Sequence, residues 1–140
     1  MELKKILVPV DGSVSSMRAA GYAAELARAM KSEILLMHCH KSFPVVFGEP
    51  YFQKAVDKII KKSNALLEPY RKILQDAGVG FSDKILEGPA AEAICKVAKI
   101  EKLDMIVMGS RGRSDLEGLL LGSCTHRVLS TAECPVLVVK

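Results

Sequence analysis

The chain has 140 residues, 49% of them apolar, which suits one domain spanning residues 1–140 with a core of its own and leaves little length for a second. Its aliphatic runs, such as 34–37 and 136–139, fall far short of a membrane span, and the first apolar run begins at Leu3 with no signal-peptide design, so the expectation is a soluble cytoplasmic protein without a membrane partner. The net charge of +4 is local: residues 53–75 hold six Lys or Arg against Asp57 and Glu68, which reads as a solvated helix face, and with no Trp and few other rings to stack on bases a nucleic-acid partner is disfavoured.

Aliphatic and β-branched content predicts a strand over 3–10. A helix follows over 13–31, with Ser13 as its cap and Ala19, Ala20, Ala23, Ala24 and Ala27 as a small-residue face able to pack closely on a sheet. A second strand, 33–39, leads into an irregular stretch at 41–50 with two prolines and a glycine, where a ligand-covering loop is expected. The helix over 51–77 carries Val56, Ile59, Ile60, Ser63, Leu66, Leu67, Tyr70, Ile73 and Leu74 at helical spacing, with Pro69 expected to kink it. A strand over 79–86 precedes a helix that starts at Gly88-Pro89, proline at its first position, and buries Ile94, Val97 and Ala98. Strand 104–108, a helix after Gly122 that carries Val128, Leu129 and Ala132, and strand 135–139 complete the chain. Regular alternation of strand and helix argues for an α/β fold: a parallel sheet with helices on both faces, because parallel neighbours need crossover connections.

Gly109-Ser-Arg-Gly112, nine further residues, then Gly122-Ser123, link the fourth strand to the last helix. Glycine there can take positive φ or let the backbone approach a ligand, Ser123 can cap the helix or donate to a phosphate oxygen, and a helix N-terminus favours an anion. Neither a P-loop nor a dinucleotide fingerprint is present. Cys39, Cys95, Cys124 and Cys134 are spaced too widely for a C-x-x-C motif and read as small apolar residues in a reducing compartment. His38 and His40 would point the same way from one strand, but no third ligand stands near them in sequence, so a metal pair is not favoured.

Together, Val8-Pro-Val-Asp-Gly-Ser13, the glycine pattern G-x2-G-x9-G-[ST] and the ending Cys134-Pro-Val-Leu-Val-Val139 resemble the universal stress protein family, in its ATP-binding branch, over essentially the whole length. The resemblance implies a single open, doubly wound five-stranded parallel sheet in the order 3-2-1-4-5, with ATP held at the switch point between the first and fourth strands. It implies Pro9, Val10 and Met108 as walls of the base, Cys39 as a backbone contact to adenine, and Asp11 beside the ribose or a metal-bound phosphate. Gly109, Arg111, Gly112, Gly122, Ser123, Cys124 and Thr125 would surround the phosphates, with Mg²⁺ or Mn²⁺ accompanying ATP and Asp11 as a candidate, indirect ligand of the ion. Cys39 and Cys124 depart from the aliphatic residues usual at their positions. The resemblance further implies a homodimer through the last strand.

The function expected is an ATP-binding regulatory protein of the stress response, switched by nucleotide occupancy. No dedicated base accompanies the glycine loop, His126 being the nearest candidate, so hydrolysis would be slow at most and phosphate could pass to Ser110 or Ser114. An adenylyl-transferring or ATP-hydrolysing enzyme, and an interaction module holding another adenine nucleotide, remain the alternatives. The sequence does not name the downstream protein partner.

Overall fold

The computed structural model describes residues 2–41, 48, 50–112, 118 and 120–140. The elements run β1 (Lys5–Pro9), α1 (Val14–Met30), β2 (Glu33–His40), α2 (Tyr51–Asp76), β3 (Phe81–Glu87), α3 (Ala90–Ile100), β4 (Met105–Gly109), α4 (Ser123–Thr131) and β5 (Val136–Val139). All five strands form one parallel sheet in the order β3-β2-β1-β4-β5, as expected. Most of the expected covering stretch at 41–50, and Ser114, lie outside the described residues.

Alternating side chains of the strands divide the core between the two faces of the sheet. Ile6, Val8, Ile34, Leu36 and Val107 pack with the alanines of α1 and with Leu67, Tyr70 and Leu74 of α2. Leu7, Leu35, Met37, Ile106 and Met108 pack with Ile94, Val97 and Ala98 of α3 and Val128 of α4. Helices therefore cover both faces, and β1, β4 and the first half of β2 read as continuous apolar runs because they are buried on both sides.

Local chemistry sets the helix ends. Ser13 caps α1 by accepting the Ser16 N–H at 3.1 Å, and Lys31 ends it in the left-handed region at φ 56°. Ala19, Ala20, Ala23, Ala24 and Ala27 are all buried, so the helix backbone lies close on the sheet.

One expectation needs correction, at Pro89, and two helices are covered less fully than their apolar patterns suggest. The apolar stripe of α2 is buried only from Ser63 onward, while Val56 and Ile59 are half-buried and Ile60 is exposed. A helix of 26 residues is about 39 Å long, against about 26 Å for the eight residues of β2, so it outruns the strands it covers. Pro69 lies inside the continuous helix α2; its ring and Ala65, whose carbonyl has no amide to meet there, are exposed to water. In α3, Pro89 takes the cap position, after a cis Gly88–Pro89 peptide, rather than the first helical one. Leu129 of α4 is exposed, because Thr125 and Val128 make up the buried side of that short helix.

No helix among the described residues is long and apolar enough to cross a membrane. Lys54, Lys58, Lys61, Lys62 and Lys72 lie exposed along α2, and Arg71 pairs with Asp83 at 2.7 Å and Glu68 at 2.9 Å.

Candidate nucleotide-binding cleft

Strands β1 and β4 lie side by side, with Ile6 opposite Met105 and Leu7 opposite Ile106, and the chain leaves β1 for one half of the sheet and reaches β4 from it. Their carboxyl ends flank the switch point at which an open α/β sheet forms a crevice. A cavity of about 210 Å³ opens there. Pro9, Val10, Asp11, Cys39, Met108, Gly109, Arg111, Gly112, Ser123, Cys124 and Thr125 line it, so eleven of the residues singled out from sequence meet at one place. The twelfth, Gly122, is buried at the cap of α4, next to the lining residues Ser123 and Cys124.

The β1–α1 loop is held from several sides. Asp11 accepts the Ser13 N–H on Oδ1 at 2.9 Å, turning the chain into α1, and its half-buried carboxylate still lines the cleft. Gly12 takes φ 85°, a conformation that disfavours any side chain, and its N–H donates to the Tyr70 hydroxyl at 3.0 Å. That hydroxyl also lies 2.6 Å from Ser16 Oγ in a buried contact. His38 Nδ1 bonds the Val10 carbonyl at 2.9 Å, and His40 Nδ1 bonds the Lys41 carbonyl at 2.6 Å. The two histidines thus engage backbone, and no cluster of three His, Cys, Asp or Glu suited to a metal occurs among the described residues.

On the other side, the glycines act differently from expectation. Positive φ occurs at Gly12, Gly78 and Gly118 among the described glycines, and Gly122 sits at φ −73°. Gly109 is needed for packing: a Cβ there would stand 2.7 Å from the Ser15 carbonyl carbon and 2.8 Å from the Ser16 nitrogen. Its small size lets β4 approach the first turn of α1, which brings the Asp11 and Arg111 loops together, and Ser13 Oγ donates to the Arg111 carbonyl at 3.4 Å.

Helix α4 starts at the cleft with Gly122 as its cap, no side-chain cap bond and no acidic residue in its first turn. Ser123 is therefore the first helical residue and not the cap. Thr125 turns inward and donates to the Gly109 carbonyl at 2.8 Å, while Gly122 N–H donates to the Ser110 carbonyl at 2.7 Å. Both bonds anchor the helix start to the end of β4, and its macrodipole presents a positive end to the cleft. Ser110 is buried at 4% exposure, which argues against it as a phosphate acceptor. His126 is exposed on α4 and is not among the lining residues.

Ser16, Met37, Ala90 and Ile94 also line the cavity and were not foreseen. Period-two spacing from Cys39 could have revealed Met37, and helical spacing links Ala90 to Ile94. Burial and the nearby Cys124 push the Cys39 thiol up to about 11, so it is neutral at physiological pH.

The layout of the cleft matches a sequence-wide likeness. A family model described as the universal stress protein family matches residues 2–140. The chain belongs to this family. It is 35% identical over 139 residues to the universal stress protein MJ0531 of Methanocaldococcus jannaschii, an alignment covering 98% of this chain and 82% of that one. A solved structure of MJ0577, from the same organism, superposes with a TM-score of 0.85 at 33% identity, covering 100% of this chain and 97% of that one. A universal stress protein family member from Arabidopsis thaliana, solved with AMP bound, superposes with a TM-score of 0.72 at 27% identity, covering 98% and 91% of the two chains. Within this family fold, the cleft of the present member combines apolar side chains, a carboxylate and a helix N-terminus.

Proposed function

We propose that this family member binds ATP in the β1–β4 cleft and acts as a regulatory protein whose nucleotide occupancy is the signal. The observation that carries the reading is a single cavity lined at once by Asp11, Arg111, the start of α4 and a set of apolar side chains. Pro9, Val10, Met37, Ile94 and Met108 supply the apolar walls that a purine would fill. Asp11, whose carboxylate lines the cavity, would accept a ribose hydroxyl. Arg111 and the first turn of α4, with Ser123 at its head, would meet the phosphates through charge and backbone N–H groups. AMP in the Arabidopsis relative supports an adenine nucleotide as the ligand class.

Mg²⁺ or Mn²⁺ fits this donor set only as a companion of the phosphates. Such ions keep several waters and bind through one or two carboxylates plus phosphate oxygens, and Asp11 is the carboxylate among the lining residues. Bound there, the ion would neutralise phosphate charge.

Among the described residues, the ionisable groups lining the cleft are Asp11, Arg111 and the thiols of Cys39 and Cys124. Asp11 already accepts an amide and the Cys39 thiol is neutral at physiological pH, so the reading is retention of ATP with slow turnover at most. We further assign dimerisation to β5, whose residues are all half-buried and which forms one edge of the sheet. An apolar edge invites strand pairing.

Mass spectrometry of nucleotide released from the denatured protein, followed by calorimetry with ATP and Mg²⁺, tests the assignment. Bound adenine nucleotide in the wild type and weakened binding in Gly122→Val are expected. Absence of both retained nucleotide and ATP binding overturns the reading; equal affinity in the variant removes the helix start from it.

A further inference from the structure

Four sulfur-bearing side chains line the cleft. Met37 and Cys39 stand two residues apart on β2 and so project from the same face of the sheet. Met108, near the end of β4, packs in the cluster on that face, and Cys124 joins it from the first turn of α4. All four line the same cavity, and both cysteines are reduced thiols. Nothing in a purine site requires this chemistry, since aliphatic side chains would wall the base equally well.

Thiolate and thioether sulfur are soft donors that select soft cations such as copper(I), whereas Mg²⁺ and Ca²⁺ prefer oxygen. Two thiolates suffice for such a monovalent ion, whose two-coordinate complexes are linear. We propose that Cys39 and Cys124 bind one soft monovalent cation of the copper(I) or silver(I) class, with Met37 and Met108 as thioether neighbours, and that this ion and the adenine base exclude one another. Only the exclusion rests on the nucleotide reading above; the ion site stands independently of it.

On binding, two S–H bonds break and two sulfur–metal bonds form. The two neutral thiols and the monovalent cation give a bis-thiolate complex of charge −1, two protons go to solvent, and no electron moves. Without the ion the thiols are neutral, a surface against which an uncharged purine can pack, in keeping with the high pKa of Cys39. With the ion, the same volume is filled by a negatively charged complex. A second thiol pair, Cys95 and Cys134, lines a different cavity together with Lys96 and Lys99, without a thioether among its lining residues. With fewer soft donors it is the poorer site.

Silver(I), which undergoes no redox change here, is the probe. Reduced protein is titrated with it in excess competing monothiol, and bound ions are counted by native mass spectrometry. One ion per chain is expected in the wild type and in the Cys95→Ala/Cys134→Ala double variant. Cys39→Val and Cys124→Val restore the aliphatic character usual in the family, with folding checked by circular dichroism; each should weaken the ion by more than the about tenfold that even an outer-shell change costs. Calorimetry should show silver and ATP weakening each other by the same factor, on the order of tenfold or more. No bound ion in the wild type, an unchanged ion affinity in both valine variants, or loss of the ion in the double variant overturns the site. Independent binding of silver and ATP overturns the exclusion. If ATP fails to bind the wild type at all, the nucleotide reading falls, while the silver count still decides the thiol site.

Discussion

Tyr70 reaches the cleft without lining it. Its buried hydroxyl takes the Gly12 N–H at 3.0 Å and meets Ser16 Oγ at 2.6 Å, so one side chain of α2 holds both the turn after Asp11 and the first turn of α1. Phenylalanine would fill the same volume while leaving a polar group on each side without this partner. Tyr70→Phe is expected to lower stability by about 1–3 kcal/mol, measured by urea denaturation, and to weaken ATP several-fold by loosening the loop that carries Asp11. A stability loss with unchanged ATP affinity would assign Tyr70 to the core alone. The sequence places Tyr70 in the apolar stripe of its helix and says nothing of this bond, because the partners lie 58 and 54 residues away. Asp11 and Ser13, by contrast, were legible. Their turn and cap bonds close within three residues, and side-chain chemistry alone dictates them.

Elements bring the two motifs together. Gly109 ends β4 against the first turn of α1, and Thr125 fastens α4 to the same strand end. The glycine pattern was correctly read as marking a strand-to-helix junction, but at Gly109 the reason is a close approach of two backbones rather than a loop conformation. Gly109→Ala puts a Cβ 2.7 Å from the Ser15 carbonyl carbon, so α1 or β4 must shift. The expected cost is about 1–3 kcal/mol, read from thermal or urea unfolding, accompanied by weaker ATP binding as the Asp11 and Arg111 loops separate. Wild-type stability in that variant would show that the junction yields without strain. The same scale explains the partial cover of α2: helical periodicity continues along the sequence whether or not a strand lies beneath it, so only packing reveals that Val56, Ile59 and Ile60 are incompletely covered.

At the scale of the whole molecule, the sheet order leaves β5 at an edge with a four-residue run of Val136, Leu137, Val138 and Val139. Leu137 and Val139 pack toward one core cluster and Val136 toward the other, so Val138 is the position at which a charge disturbs the described core least. Val138→Glu is expected to shift the protein from dimer toward monomer in sedimentation experiments, with the nucleotide site kept; a monomeric wild type would overturn the edge-strand assignment. By itself the sequence determined the alternation of strands and helices, the apolar double-sided strands, the cap at Ser13 and the residues of the glycine pattern, since periodicity, capping and backbone freedom act over a few residues. The family likeness supplied the strand order. Only the tertiary structure decided that Thr125 turns inward, that Tyr70 steadies the Asp11 turn, and that Cys39, Cys124, Met37 and Met108 share one cavity. These contacts join residues distant in sequence, and no local pattern encodes which buried side chains will meet once the sheet assembles.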